Sequence, residues 1–204
     1  QKKTKILIST GMSTMKEISE AINFLIKKKG LKRKKIILMQ CTSSYPTPYN
    51  DANLSAIYSL KKKFNTKIGY SDHTLGSECA LAAVGMGAEY IEKHVTFDNK
   101  LRGPDHKASL TIDKFEIMVN QIRNLELSIG SGVKKVEKSE EQNKKIARNS
   151  LVASKKINKD EKFSKSNITI KRPGNGMSPK FYTKIIGKKS NKIYMPDQLI
   201  KIKV

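Results

Sequence analysis

At 204 residues the chain is long enough for one large or two small domains, and its hydrophobic fraction of 37% is low but adequate for a core. No apolar run approaches the length needed to cross a bilayer, and the opening "QKKTKILISTG" enters a strand-like segment with no signal-peptide pattern. The net charge of +23 raises a nucleic-acid reading, but the cations are mostly lysines spread along the chain and the few aromatics do not interleave with them. A solvated Lys-rich surface, with neither nucleic acid nor membrane as partner, is the expectation.

The chain lacks an initiating Met, so it is expected to be the later part of a longer one. "KILIST" is a short β-rich run, followed by Gly11 and a helical pattern in "TMKEISEAINFLIKKKG" with Ile18, Ala21, Ile22 and Leu25 on one face. "KKIILMQ" predicts the next strand, "CTSSYPTPYND" a turn-rich loop, and "ANLSAIYSLKKKF" a helix. "TKIGY" and the helix "LGSECALAAVGMG" form the third unit, and "AEYIEKHVTF" the fourth strand. After the loop "DNKLRGPDHKAS" a helix is predicted from about Thr111, carrying Phe115, Met118, Val119, Ile122 and Leu125 and stopped by Gly130. Repeated strand–helix units imply an α/β fold with a parallel sheet.

Residues 134–147 are polar and read as a linker containing a helical piece. Beyond them, "SLVASKKI", "NITIKRPGNG" and "KIIGKKSNKI" are short runs separated by turn residues, which predicts a compact, mostly β module. Cys41 and Cys79 make no disulfide framework and fit a reducing cytoplasm.

Each of the four strands ends in polar or small groups: Ser9-Thr10, Thr42 to Tyr45, Ser71-Asp72-His73, and Glu92 with His94. In parallel α/β sheets and barrels that edge binds ligands. Ser9 or Asp72 could instead cap a helix, but capping does not account for Glu92 and His94, which at i and i+2 share one side of their strand. His73 and His94, on adjacent strand ends, either bind a divalent metal with open positions for substrate or are hydrogen-bonded structural histidines. No GxGxxG, P-loop or GxSxG is present, which argues against dinucleotide, NTP and α/β-hydrolase chemistry.

"ISTGMST", "CTSSYPTPYNDANL", "GYSDHTLG", "IEKHVTFDNKLRGPDHKASL" and "KRPGNGMSP" occur in the order and spacing of the sialic acid synthase family, which the chain resembles over essentially its whole length. That resemblance implies the C-terminal half of a (β/α)₈ barrel over 1–133, a linker over 134–146 and a small SAF (antifreeze-like) domain over 147–204, in a domain-swapped homodimer. It also implies condensation of phosphoenolpyruvate with N-acetylmannosamine, or with a 2-acetamido or 2,4-diacetamido hexose, to a nine-carbon acid plus phosphate. His73 and His94 match metal ligands of the family, usually for manganese, with magnesium and cobalt as alternatives. Ser9 and Ser71 match phosphate-holding positions, and Tyr45, Glu92 and Asp105 match contacts to the acceptor sugar. Glu92 is also a candidate proton handler. Ser43 stands where some members have Asn, and Arg172 matches an arginine that reaches a partner subunit's site. "SDHT" resembles the bacterial form that uses an unphosphorylated sugar, and "GPDHKAS" with "RPGNG" resembles the sialic and legionaminic branch, while "DANL" also occurs in pseudaminic synthases. A non-catalytic binding protein built from a barrel remnant and a SAF module is the alternative from another class. Taken alone, Tyr45 reads as a packed loop aromatic, Asp105 as a turn residue, Arg172 as a surface cation and His106 as structural.

Overall fold

The computed structural model describes residues 4–203 and divides at Gly132–Val133 into two compact units. The first holds a parallel sheet of β1 (Ile6–Ser9), β2 (Ile36–Cys41), β3 (Lys67–Asp72) and β4 (Tyr90–Lys93), hydrogen-bonded in that order. Between and after the strands run α1 (Met15–Lys27), α2 (Ala56–Phe64), α3 (Glu78–Gly85) and α4 (Ile112–Ile129). A short β5 (Val95–Thr96) continues past His94 and pairs in parallel with β6 (Leu110–Thr111).

Strand alternation assigns the two faces of the sheet. Ile36, Leu38, Ile68 and Tyr70 point toward the helices and pack with Ile18, Ile22, Ile57, Leu60, Phe64 and Ala83 in one buried cluster. Ala80 and Val84 of α3 meet Met118 and Ile122 of α4 in a second. The α1 stripe is narrower than its sequence suggests: Ile18 and Ile22 are buried, but Ala21 is exposed at its edge.

Local signals set the helix ends. Thr14 closes α1 with a capping box, its hydroxyl accepting from the Glu17 N–H at 3.3 Å while Glu17 Oε2 accepts the Thr14 N–H at 2.7 Å. Helix α2 starts at Ala56 and not at residue 52, because Asn53 takes a left-handed conformation (φ 43°) that interrupts the turn before it. The outer strand β1 leaves Ile6 and Leu7 exposed.

The second unit contains α5 (Glu141–Ala147), entered through a 3₁₀ turn at Lys138–Glu140, then the antiparallel pair β7 (Ser150–Ala153) and β8 (Ile168–Lys171), and α6 (Tyr182–Ile185). Its core gathers Leu151, Ala153, Ile157, Phe163, Ile168, Ile185, Tyr194 and Ile200. Isolated bridges Val152–Leu199, Ile157–Tyr194 and Lys162–Lys189 add further β structure. The buried Tyr194 hydroxyl is satisfied by Lys201, donating to its carbonyl at 2.9 Å and accepting its N–H at 3.2 Å.

Candidate active site

Parallel register places Cys41 beside Ser71, Ser71 beside Glu92, and Asp72 beside Lys93. Because side chains alternate, Ser71, His73, Glu92 and His94 share the face away from the helices, while Asp72 and Lys93 take the opposite one. The contacts agree with that parity. Ser71 Oγ donates to Glu92 Oε1 at 2.7 Å and lies 3.4 Å from His73 Nε2. The rings of His73 and His94 stand 5.3 Å apart, nearly perpendicular at 80°.

His73 is held from behind. Its Nδ1 is 2.8 Å from the Thr42 carbonyl, so Nδ1 carries the proton and Nε2 presents a lone pair toward the open face. Its backbone carbonyl accepts the Thr47 N–H at 2.8 Å, which ties the β2–α2 loop to the end of β3. Cys41 Sγ lies 3.9 Å from the same Nδ1. The Tyr45 ring closes the group from above, 4.2 Å from the His73 ring centre and 5.5 Å from that of His94. Partial desolvation, then the proximity of Cys41, Asp105 and Glu92, raises the Tyr45 hydroxyl above the ordinary phenol value. It remains a neutral donor at neutral pH.

The other candidates are less tightly gathered. Asp105 Oδ2 approaches His94 Nδ1 at 3.8 Å, beyond hydrogen-bond distance but close enough for attraction to a protonated ring. The Asp105 side chain caps no helix; its backbone carbonyl instead accepts from Ala108 and Ser109. Ser9 pairs with Met39, two residues below the Cys41 row, and is exposed. Ser43 lies against Gly11, where a Cβ would sit 2.1 Å from Ser43 Oγ, so a larger residue there would force that hydroxyl to turn away. Those two loops border a cavity of about 720 Å³ of mixed character, lined by Thr10, Gln40, Ser43 and Asp51 together with Met15 and Leu60. His106 hydrogen-bonds through Nδ1 to Thr96 at 2.8 Å, a structural role.

Arg172 belongs to the second unit, at the exposed start of the "RPGNG" loop after β8. That loop is pinned by Ser150, whose hydroxyl donates to the Pro173 carbonyl at 2.6 Å and accepts the Gly176 N–H at 2.9 Å. A Cβ at Gly174 would meet Arg148 Cβ at 2.4 Å, so the loop lies too close to its neighbour for any larger residue.

Donor chemistry fits a divalent metal in part. Two imidazoles face one another, and one has its second nitrogen fixed by a carbonyl, as metal-binding histidines commonly do. Among the described residues no group of three His, Cys, Asp or Glu is suited to hold a metal, so further donors would have to be water, substrate or other residues. Sequence reasoning missed the feature behind the site. Asp72 Oδ2 and Lys93 Nζ form an ion pair at 2.9 Å with side chains 0% and 1% exposed. The available signal was parity: a lysine between two residues of the open face must point under the helices.

Residues 1–134 match the NeuB family and residues 148–201 match the SAF domain. The N,N'-diacetyllegionaminic acid synthase of Campylobacter jejuni is 49% identical over 97% of this chain and 59% of its own length. The pseudaminic acid synthase of the same organism is 39% identical over 94% of this chain and 55% of its own. Human N-acetylneuraminate-9-phosphate synthase is 33% identical over 90% and 51%. Among solved structures, the N-acetylneuraminic acid synthetase of Leptospira borgpetersenii, in complex with citrate, superposes with a TM-score of 0.60 at 39% identity, over 68% of this chain and 47% of that one. The chain belongs to the NeuB family, with a SAF domain after a curled parallel half-barrel. Its relatives are nonulosonate synthases, and it spans between 51% and 59% of the length of those three curated relatives.

Proposed function

We propose that the protein containing this chain condenses phosphoenolpyruvate with an N-acylated hexose to give a nine-carbon sialic-type acid and phosphate. The observation carrying this reading is the convergence of Ser71, His73, Glu92, His94 and Tyr45 on one face at the carboxyl ends of β3 and β4. A 2,4-diacetamido hexose is the acceptor favoured by the 49% identity to a legionaminic acid synthase, with N-acetylmannosamine second.

In this reading His73, through Nε2, and the His94 ring would hold a divalent ion, with manganese the first choice. Such an ion, when bound, supplies Lewis acidity to the aldehyde oxygen of the open-chain sugar. Tyr45 covers the two rings and offers its neutral hydroxyl to the sugar. Glu92 holds or moves a proton at the reacting oxygen, its carboxylate held by the Ser71 hydroxyl before phosphoenolpyruvate binds. Carbon C3 of phosphoenolpyruvate attacks the aldehyde carbon, water adds at C2, and phosphate departs with cleavage of its C–O bond. Ser9 and Ser71 would donate to the phosphate; Ser71 must first turn its hydroxyl from Glu92. Asp105 meets the sugar beside His94, Ser43 borders the site, and Arg172 reaches the N-acyl group from the SAF domain of a partner protomer in a domain-swapped dimer. The reaction belongs in the cytoplasm.

His73→Ala and His94→Ala in the full-length protein test the assignment. Each is expected to lose manganese binding by titration calorimetry after chelator treatment, together with turnover. Retained manganese affinity and activity in either variant would exclude that histidine as a ligand.

A further inference from the structure

The Asp72–Lys93 pair lies on the face of β3 and β4 opposite the histidines, next in the chain to Ser71, His73, Glu92 and His94. Each partner is additionally bonded. Asp72 Oδ1 accepts the Thr74 N–H at 2.9 Å and the Thr74 hydroxyl at 2.7 Å, while Lys93 Nζ donates to both Asp72 Oδ2 and the Thr74 carbonyl. Thr74 is fully buried, and the turn from residue 72 to 74 is tied to Lys93 of β4 through two of its polar groups, the Asp72 carboxylate and the Thr74 carbonyl. His73 sits inside that turn, and the position of Lys93 fixes those of Glu92 and His94 on either side.

An ion pair removed from water on this scale is a poor source of stability, since a well-packed apolar replacement is often neutral or better. Geometry is what it can supply. Parallel pairing alone leaves the end of β3 free to splay from β4, because the ladder stops at Asp72–Lys93. We infer that the buried Asp72–Lys93 pair is a positioning device, which clamps the His73 turn to β4 and sets the separation of the His73 and His94 rings. The inference rests on the two histidines acting together in the proposed reaction. The clamp itself acts on ring geometry whether or not a metal is bound.

The test uses the full-length protein carrying Asp72→Asn/Lys93→Met. This variant keeps an acceptor for the Thr74 N–H and hydroxyl but removes both charges and the two hydrogen bonds that Lys93 Nζ donates to Asp72 and the Thr74 carbonyl. Two readouts separate the claims. Side-chain imidazole NMR signals of His73 and His94, assigned by His73→Gln and His94→Gln, report ring geometry without metal, with His106 as internal reference. Both signals are expected to shift while that of His106 stays, and manganese affinity to fall on the order of 10–100-fold with the melting transition still cooperative. Unchanged His73 and His94 signals in a folded variant would overturn the clamp. Shifted signals in a protein whose wild-type form binds no manganese would uphold the clamp and sink the metal reading. If the double variant does not fold, Asp72→Glu, which keeps the charge and moves the carboxylate by one methylene, must shift both signals. A spectrum identical to wild type would refute the clamp equally well.

Discussion

A methyl group added at Gly69 tests how closely the strands beneath the site are packed. Gly69 lies on the open face of β3, paired with Tyr90 and two residues below Ser71. A Cβ there would sit 2.3 Å from Met39 Sδ, 2.7 Å from Met39 Cε and 2.8 Å from Tyr90 Cβ. The methionine can rotate away, but the Tyr90 Cβ is fixed to the β4 backbone, so β3 and β4 must separate locally. Overpacking of this kind costs about 1–3 kcal/mol. Urea unfolding of full-length Gly69→Ala should therefore lose about that much stability with an unchanged slope. Since the strained pair lies directly below Ser71–Glu92, kcat/KM should fall as well. Adding Met39→Ala should recover part of the loss and not all of it, because the Tyr90 contact remains. A Gly69→Ala protein within about 0.5 kcal/mol of wild type, the scatter of neutral substitutions, would refute the packing argument.

Two further outcomes follow from the units separately. Phe163, 1% exposed in the core of the second unit, should cost roughly 3–5 kcal/mol when cut to alanine. Hydrogen exchange would show lost amide protection in β7 and β8, and wild-type protection there would contradict that core assignment. The Thr14 N–H, followed by its hydroxyl, holds the Glu17 carboxyl below its ordinary value. A carboxyl lowered in the folded state stabilises above its unfolded value and loses that contribution as pH falls through the folded one. Thr14→Ala removes the hydroxyl part, so its deficit relative to wild type should be largest near neutrality and narrow in acid. A deficit that does not change with pH would show that Glu17 is not linked to the cap.

Much of this arrangement was legible in the sequence because it depends on short periods. The alternation along "KIGYSDH" and "YIEKH" is enough to give two strands and to place Glu92 and His94 on one side. The repeated strand–helix spacing is enough to give a parallel sheet. What escaped depends on register between strands, which periodicity does not contain. That Asp72 meets Lys93, and Ser71 meets Glu92, follows only once β3 and β4 are aligned. The path of the loop after β2 was likewise hidden: the Thr42 carbonyl behind His73 and the Tyr45 ring against it come from turns whose geometry composition does not specify. Arg172 was reached by family resemblance alone; the structure explains its loop through Ser150 and Arg148, in the second unit.

The central claim is the condensation itself, and inorganic phosphate release tests it most directly. Full-length protein with manganese, phosphoenolpyruvate and either a 2,4-diacetamido hexose or N-acetylmannosamine should release phosphate only when both substrates are present, with a nine-carbon acid formed in equal amount. No phosphate release with either acceptor, or release that does not depend on the sugar, would contradict the account.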